Sequence, residues 1–153
     1  MSAHSSKQNT QAEKYIVEEF RKELGITEWS NGYKDLLNVD FDFYYSQGNI
    51  NIVGEVYCSP GKLSPGGRRK LMNDAAKMIA LERLSKRKFQ KFIILTDNKP
   101  LKDSYNAKQN WRKRVIEEVF EITVRFEKLP AKMNEDLISS YRKQSLAAKG
   151  REE

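Results

Sequence analysis

The chain has 153 residues, of which 39% are hydrophobic and 32% are charged, and its formal net charge is +7. This length predicts a single domain with its own core, and no run of about 18 apolar residues offers a membrane span. A single histidine (His4) and a single cysteine (Cys58) exclude an intrachain disulfide, a Ser-His-Asp or Cys-His catalytic site and an ordinary zinc site. Any metal ligands must then be oxygen atoms, which suit Mg²⁺ or Mn²⁺, and we expect a reducing, cytoplasmic setting.

The first half of the chain predicts a helix, a β-hairpin and a second helix. A disordered polar leader over 1–10 precedes a helix over 11–24, whose apolar residues recur every four positions and which ends at a glycine. Strands are predicted over 37–45 and 50–58, and the polar, glycine-containing segment between them predicts a hairpin turn. Ser64 and Pro65 predict the start of a basic helix that extends to about residue 84.

The second half predicts alternating strands and helices. A continuous apolar run over 91–96 is typical of a central strand that is buried on both faces. The remaining elements are predicted to be a loop, a helix, a half-buried strand, a last helix and a charged tail, over 97–105, 106–120, 122–129, 134–148 and 149–153. Four residues of the 106–120 helix are predicted to be buried: Trp111, Val115, Ile116 and Val119. The helix after the hairpin forms a crossover, so we expect a mixed sheet in a three-layer α/β/α domain over 11–148.

Carboxylates on the predicted hairpin are the most informative feature of the sequence. Side chains alternate along a strand, so Asp40 and Asp42 share one face, and one of them lies opposite Glu55 of the second strand. A Gly48-Asn49 turn sets Asp42 opposite Glu55 and suits a type II′ turn, whereas a turn one residue earlier sets Asp40 there. A divalent cation would offset the repulsion of the paired acids, and a solvent-exposed polar face is the alternative. Gly54 inside the strand indicates the close approach of another backbone or of a ligand.

Three short runs and the basic helix between the last two carry a resemblance to a known family: Phe41-Asp42-Phe43, Ile52-Val53-Gly54-Glu55-Val56-Tyr57 and Phe92-Ile93-Ile94-Leu95. Over roughly 11–96 the chain resembles the PD-(D/E)XK nuclease superfamily, and 111–129 is similar to its closing helix and strand. The resemblance implies a restriction-endonuclease-like fold and Mg²⁺- or Mn²⁺-dependent hydrolysis of phosphodiester bonds. It also implies that Glu55, with Asp42 or Asp40, binds the metal ion and takes part in catalysis.

The second strand departs from the family pattern at Tyr57, where the family has a lysine. In such families the lysine also comes from the helix that follows. Lys77 lies among apolar residues of that helix and is the first candidate to place its ammonium near Glu55, with Lys70 and Lys62 next. The alternative for Lys77 is a lysine whose apolar stem covers the surface while its ammonium stays in water.

The resemblance also implies an acidic residue on the first helix that completes the metal site. Glu19 and Glu23 are the candidates because they flank the apolar stripe, and the alternative for each is a solvated helix charge. Five basic residues are candidates for phosphate contacts: Lys62, Arg68, Arg69, Arg112 and Lys113. The net charge favours an acidic partner, and nucleic acid, with DNA as the first choice, is the expected one. The sequence leaves open whether the protein forms a homodimer or is a subunit of a larger complex. The competing functions are an inactive nuclease-fold module that binds nucleic acid or a protein, and a purely structural subunit.

Overall fold

A computed structural model describes residues 7–30 and 37–152, with side chains for 10–30 and 37–143. Its elements are helix α1 (Lys7–Leu24), strands β1 (Phe43–Gln47) and β2 (Ile50–Tyr57), helix α2 (Pro65–Ser85), strand β3 (Gln90–Thr96), helices α3 (Lys99–Tyr105) and α4 (Trp111–Arg114, continued by a π-helical turn over Val115–Val119), strand β4 (Ile122–Glu127) and helix α5 (Ala131–Glu152). Most of the predicted leader over 1–10 lies outside the described residues, and the remainder belongs to α1. Within the described part of the chain, no helix is long and apolar enough to cross a membrane.

The four strands form a mixed sheet in the order β1-β2-β3-β4. β1 and β2 pair as an antiparallel hairpin, whereas β2 with β3 and β3 with β4 are parallel pairs. Parallel pairing follows because α2 carries the chain back along the sheet before β3 begins. The structure thus confirms the α/β class and the predicted mixed sheet. Ser64 caps α2 as predicted, since its Oγ accepts a hydrogen bond of 2.9 Å from the Gly67 N–H.

Helices cover both faces of the sheet and give it three layers. Ile52 and Ile94 belong to the core on one face, together with buried residues of α1 and α5. Val53 and Ile93 belong to the core on the other face, where the buried residues of α2 pack. Alternation along β2 therefore points Glu55, two residues after Val53, toward α2. The layers bring the acidic strand and the basic helix together.

The hairpin register is the one that places Asp42 opposite Glu55. Gln47 pairs with Ile50, so the turn lies at 48–49, and Gly48 has a φ of 59°, which glycine adopts without steric cost. The pairing begins at Phe43 with Gly54, so Asp42, the residue directly before β1, lies at the level of Glu55.

The first strand is shorter than the predicted 37–45, because the extended backbone begins at Phe43. Asn38 has a φ of 53°, which breaks any extended run through this segment. Asp42 then replaces the missing backbone pairing, since its Oδ2 accepts a hydrogen bond of 2.7 Å from the Val56 N–H. The register that would have set Asp40 opposite Glu55 is wrong, and Asp40 lies before the strand.

The segment between β3 and β4 differs most from its prediction. The predicted loop over 97–105 contains α3, because the Asn98 side chain accepts a hydrogen bond from the Leu101 N–H (2.9 Å) and starts a helix. Trp111 and Val119, predicted to be buried, are 58% and 68% exposed, whereas Ile116 is 1% exposed. The π-helical turn changes the angular spacing of side chains, so Val119 leaves the apolar stripe.

Candidate active site

Glu55 of β2 is buried and forms an ion pair with Lys77 of α2. Its side chain is 6% exposed, and its Oε1 accepts a hydrogen bond of 2.6 Å from the Lys77 Nζ. Lys77 Nζ also donates a hydrogen bond of 2.9 Å to the backbone carbonyl of Asp40. The lysine of the helix thus reaches the glutamate of the strand, as predicted for Lys77.

Asp42 brings a second carboxyl group against Glu55. Burial raises the pKa of Glu55 to about 9, a hydrogen bond with Asp42 and the charges of Asp42 and Asp74 also raise it, and the hydrogen bond from Lys77 opposes these effects. Two carboxyl groups in hydrogen-bonding contact repel each other when both are ionised. The pair therefore favours the uptake of positive charge, as a proton or as a cation.

A third carboxylate, Asp74, links two lysines on one face of α2. Asp74 is 6% exposed, and its Oδ2 lies 2.7 Å from the Lys70 Nζ while its Oδ1 lies 3.7 Å from the Lys77 Nζ. These residues face one another because side chains three and four positions apart are neighbours on a helix. Burial acts to lower the pKa of Lys70, but the nearby carboxylates, Asp74 first, raise it above its ordinary value. Lys70 thus keeps its charge beside the cluster.

Glu13 of α1, which was not a predicted site residue, is the fourth carboxylate. It lines a cleft of about 410 Å³ together with Asp42. Burial, and then the charge of Asp42, raise the pKa of Glu13 to about 7, while Lys70 acts to lower it. The sequence feature that could have pointed to Glu13 is its position directly after Ala12. Ala12 is buried and belongs to the same buried face of α1 as Ile16. The predicted apolar stripe began only at Ile16.

The predicted acids of the first helix lie elsewhere. Glu19 is exposed and pairs with Lys22 at 3.5 Å, and Glu23 pairs with Arg125 at 2.8 Å. Six residues turn an α-helix by about 600°, so Glu19 projects about 120° away from Glu13. The structure therefore does not bring Glu19 to the other acidic residues of the site. We call that site the carboxylate cluster; its members are Glu13, Asp42, Glu55, Asp74, Lys70 and Lys77.

Two residues of β2 that stood out in the sequence have packing roles. A Cβ at Gly54 would fall inside the ring of Phe43, so the predicted close approach is made by a neighbouring side chain and not by a ligand or another backbone. Tyr57 is half-buried, and its hydroxyl lies so close to Gly67 that a Cβ there would overlap it. Burial raises the pKa of Tyr57 above its ordinary value, so its phenol stays neutral.

The five predicted phosphate contacts divide into two groups. Lys62 and Arg68 line a second cleft, and Arg69 is exposed on α2 nearby. Arg112 and Lys113 lie on α4, where the Arg112 guanidinium stacks over the Trp111 ring at 4.8 Å. Lys113 instead holds a glutamate of its own helix at 2.6 Å.

The donor set of the carboxylate cluster fits a hard divalent cation. Asp42 and Glu55 supply carboxylate oxygens, the ligand type of Mg²⁺ and Mn²⁺, and the charges of Asp42 and Asp74 add to burial in raising the pKa of Glu55. Among the described residues, no group of three acidic, histidine or cysteine side chains is placed to hold a metal ion. Comparisons with protein-family models, curated proteins and solved structures find no match. The functional argument therefore rests on the geometry of the cluster.

Proposed function

We propose that the protein is a Mg²⁺- or Mn²⁺-dependent nuclease with a restriction-endonuclease-like fold that hydrolyses phosphodiester bonds of nucleic acid, with DNA as the first candidate substrate. The observation that carries this proposal is the 2.6 Å contact between Lys77 Nζ and Glu55 Oε1, beside Asp42. A carboxylate pair with an ammonium at hydrogen-bonding distance is the equipment that metal-assisted phosphodiester hydrolysis uses.

The residues of the cluster have distinct roles in this proposal. Asp42 and Glu55 hold the ion, which when bound supplies Lewis-acid polarisation of the phosphate. Lys77, fixed between Glu55 and the Asp40 carbonyl, directs its ammonium at the negative charge that develops on the phosphate. Lys70 keeps a second positive charge near the phosphate, because Asp74 holds it in place.

The charges of the cluster also favour a divalent ion. Four carboxyl groups face two lysines, so two carboxylates have no lysine of their own in the cluster. Burial, and then the neighbouring carboxylates, raise the pKa values of Glu13 and Glu55, so protons compensate part of this charge. One divalent cation would balance the remaining charge and displace these protons.

An inactive binding module with this fold is the second candidate function. The observation in its favour is that both central carboxylates already hold partners within the protein. Asp42 accepts a hydrogen bond of 2.7 Å from the Val56 N–H, and Glu55 accepts one of 2.6 Å from Lys77. In that case the net charge of +7 serves the binding of nucleic acid or of an acidic protein partner.

A cleavage assay separates these functions. Plasmid, single-stranded DNA and RNA are incubated with the wild type, Glu55→Gln and the control Glu118→Gln, whose exposed carboxylate pairs with Arg114. With Mg²⁺ or Mn²⁺ we expect cleavage by the wild type and the control, and a loss of at least about a hundredfold in Glu55→Gln with binding retained. Equal cleavage by Glu55→Gln would overturn the site. Salt-dependent binding by the wild type without cleavage would support the binding module.

A further inference from the structure

A second cleft lies beside the first turns of α2, on the side of α3. Its volume is about 540 Å³, and the polar and charged residues that line it are Lys62, Arg68, Lys99, Asp103 and Ser104. We call it the basic cleft, because three of these side chains are cationic and one is acidic.

The walls of the basic cleft are held together by hydrogen bonds between distant parts of the chain. The Leu63 N–H donates a hydrogen bond of 2.8 Å to Ser104 Oγ, which joins the segment before α2 to α3. Asn98, at the start of α3, donates one of 2.6 Å to the Ser59 carbonyl at the end of β2. The cleft is therefore a fixed feature of the fold, built where β2, α2 and α3 meet.

The positive charge of the basic cleft is only partly balanced within the protein. Lys99 pairs with Asp103 at 2.8 Å, but in the described part of the chain no ion pair involves Lys62 or Arg68. The Nε of Arg68 is buried and has no hydrogen-bond partner among the described residues. A guanidinium and an ammonium without a carboxylate partner favour a ligand that brings oxygen acceptors and negative charge. The buried Nε–H without an acceptor is a separate free-energy cost within the protein.

The basic cleft and the carboxylate cluster share helix α2. Arg68 lines the cleft and Lys70 belongs to the cluster. Two positions advance an α-helix by about 3 Å and turn it by about 200°, so these side chains lie at the same level of α2 on opposite flanks of the helix. Both sites also lie toward the carboxyl end of β2, since Glu55 and Ser59 are four residues apart. A nucleic-acid strand with one phosphate at the cluster brings further phosphates past this region, because phosphates recur about every 3.4 Å along a duplex strand.

We infer that the basic cleft binds a backbone phosphate of the nucleic-acid strand that flanks the scissile phosphodiester. The inference rests on the proposed nuclease function. Arg68 and Lys62 supply the pairing that suits a phosphate: a guanidinium that donates directional hydrogen bonds and an ammonium that adds charge. The cleft thereby fixes the position of the strand along the protein, while the chemistry belongs to the carboxylate cluster.

Fluorescence anisotropy of a labelled oligonucleotide tests the inference, with EDTA present so that binding is measured without cleavage. The variants are Lys62→Ala, Arg68→Lys and the control Lys132→Ala, whose side chain is exposed on α5. We expect Lys62→Ala to lower the affinity about three- to tenfold and to make the salt dependence shallower by about one unit of slope. Arg68→Lys keeps the charge and removes the directional donors of the planar guanidinium, so it should lower the oligonucleotide affinity and leave the slope of the salt dependence unchanged. Lys132→Ala binds as the wild type does.

The outcomes separate this inference from the proposed function. Equal affinities and salt slopes for Lys62→Ala and Lys132→Ala overturn the basic cleft as a phosphate site, whether or not the wild type cleaves. Loss of affinity in Lys62→Ala supports the site even when cleavage is absent, and the nuclease function alone then fails. The last experiment is a competition between inorganic phosphate and the labelled oligonucleotide. If millimolar phosphate displaces the oligonucleotide from the wild type but not from Lys62→Ala, the two compete for the basic cleft and the inference is supported. If phosphate binds the wild type and not Lys62→Ala but leaves the oligonucleotide affinity of the wild type unchanged, the cleft is a site for free phosphate alone and the strand-binding inference is overturned. Thermal unfolding of each variant confirms that it is folded.

Discussion

The carboxylate cluster and the basic cleft differ in how their charges are compensated. In the cluster, Glu55 and Asp74 are buried and lie against Lys77 and Lys70 at 2.6 and 2.7 Å. In the basic cleft, Arg68 has a buried Nε without a partner in the described residues. A paired, buried cluster is rigid and sensitive to the loss of one member, because the remaining charge is left uncompensated. An open cleft with unpaired charge is suited to a ligand that arrives from solution. The difference assigns chemistry to the first site and strand positioning to the second.

The largest expected effect is on cleavage when the cluster loses its lysine. Lys77→Met removes the ammonium from Glu55 and keeps an apolar stem of similar length. We expect cleavage to fall by at least about a hundredfold, since one preorganised charge at a transition state has this order of effect. Lys62→Met in the basic cleft is the matched change, and its cleavage at saturating substrate should stay within about threefold of the wild type, because a cleft phosphate is positioning and not chemistry. A larger loss in Lys62→Met than in Lys77→Met would reverse the assignment of the two sites.

The second effect is on stability. Lys77→Met leaves the buried Glu55 carboxyl group without the hydrogen bond that it accepts from Lys77, so we expect the free energy of unfolding near neutral pH to fall by about 1–3 kcal/mol in urea titrations. This estimate is reduced because the Lys77 side chain is 30% exposed. Adding Glu55→Gln to Lys77→Met should recover part of the loss, since the uncompensated carboxyl group is then gone. Lys62→Met should change the stability by less than about 0.5 kcal/mol. Additive single effects in the Glu55–Lys77 cycle would contradict the ion pair.

The third effect is on the pH dependence of stability. The folded pKa of Glu13 is about 7, above its ordinary value of 4.5, so the folded state holds this proton more tightly than the unfolded state. The associated stability is fully present below the unfolded pKa and is lost as the pH rises through about 7. In Glu13→Gln, the free energy of unfolding should therefore fall less between about pH 5 and about pH 8 than in the wild type.

Asp103→Asn, in the basic cleft, is the control for this pH effect, because Asp103 is largely exposed and pairs with an exposed lysine. Its pH profile should match that of the wild type. Parallel profiles for the wild type and Glu13→Gln would show that Glu13 is not part of a coupled carboxylate cluster.

The smallest effect is expected at Lys99. Lys99 Nζ lies 2.8 Å from Asp103 Oδ2 and is directed at that carboxylate and not at a ligand, so Lys99→Ala should lower oligonucleotide affinity less than Lys62→Ala does in the same anisotropy titration. Its melting temperature should match that of the wild type. Equal losses of affinity in the two variants would indicate that all three cationic side chains of the basic cleft, and not only Lys62 and Arg68, form the phosphate site.

The parts of the molecule that local sequence determines were predictable. The Gly48-Asn49 turn fixes the hairpin register, and the Ser64-Pro65 pair fixes the start of α2. Register and helical spacing together then bring Lys77 to the face of β2 that carries Glu55. These features depend on residues close in sequence, so patterns of period two and 3.6 were sufficient.

The parts set by tertiary contacts were not predictable in the same way. Glu13 joins the cluster because α1 packs across the sheet near Asp42, and its place after Ala12 indicates only which side of α1 it takes. The exposure of Val119 depends on a π-helical turn, and periodicity assumes regular α-helical winding. The short helix α3 depends on one side-chain cap at Asn98 within a segment that otherwise has the composition of a loop.

Calorimetric titration of Mn²⁺ into the protein tests the central claim most directly. The wild type and Glu118→Gln should each bind Mn²⁺ at the carboxylate cluster and release protons on binding, because Glu55 has a pKa of about 9 and ligand carboxyl groups must ionise. Glu55→Gln should lose this binding while keeping its fold and its affinity for an oligonucleotide in EDTA. Equal Mn²⁺ affinity and proton release in Glu55→Gln and in the wild type would contradict the assignment of Asp42, Glu55 and Lys77 as the reactive centre.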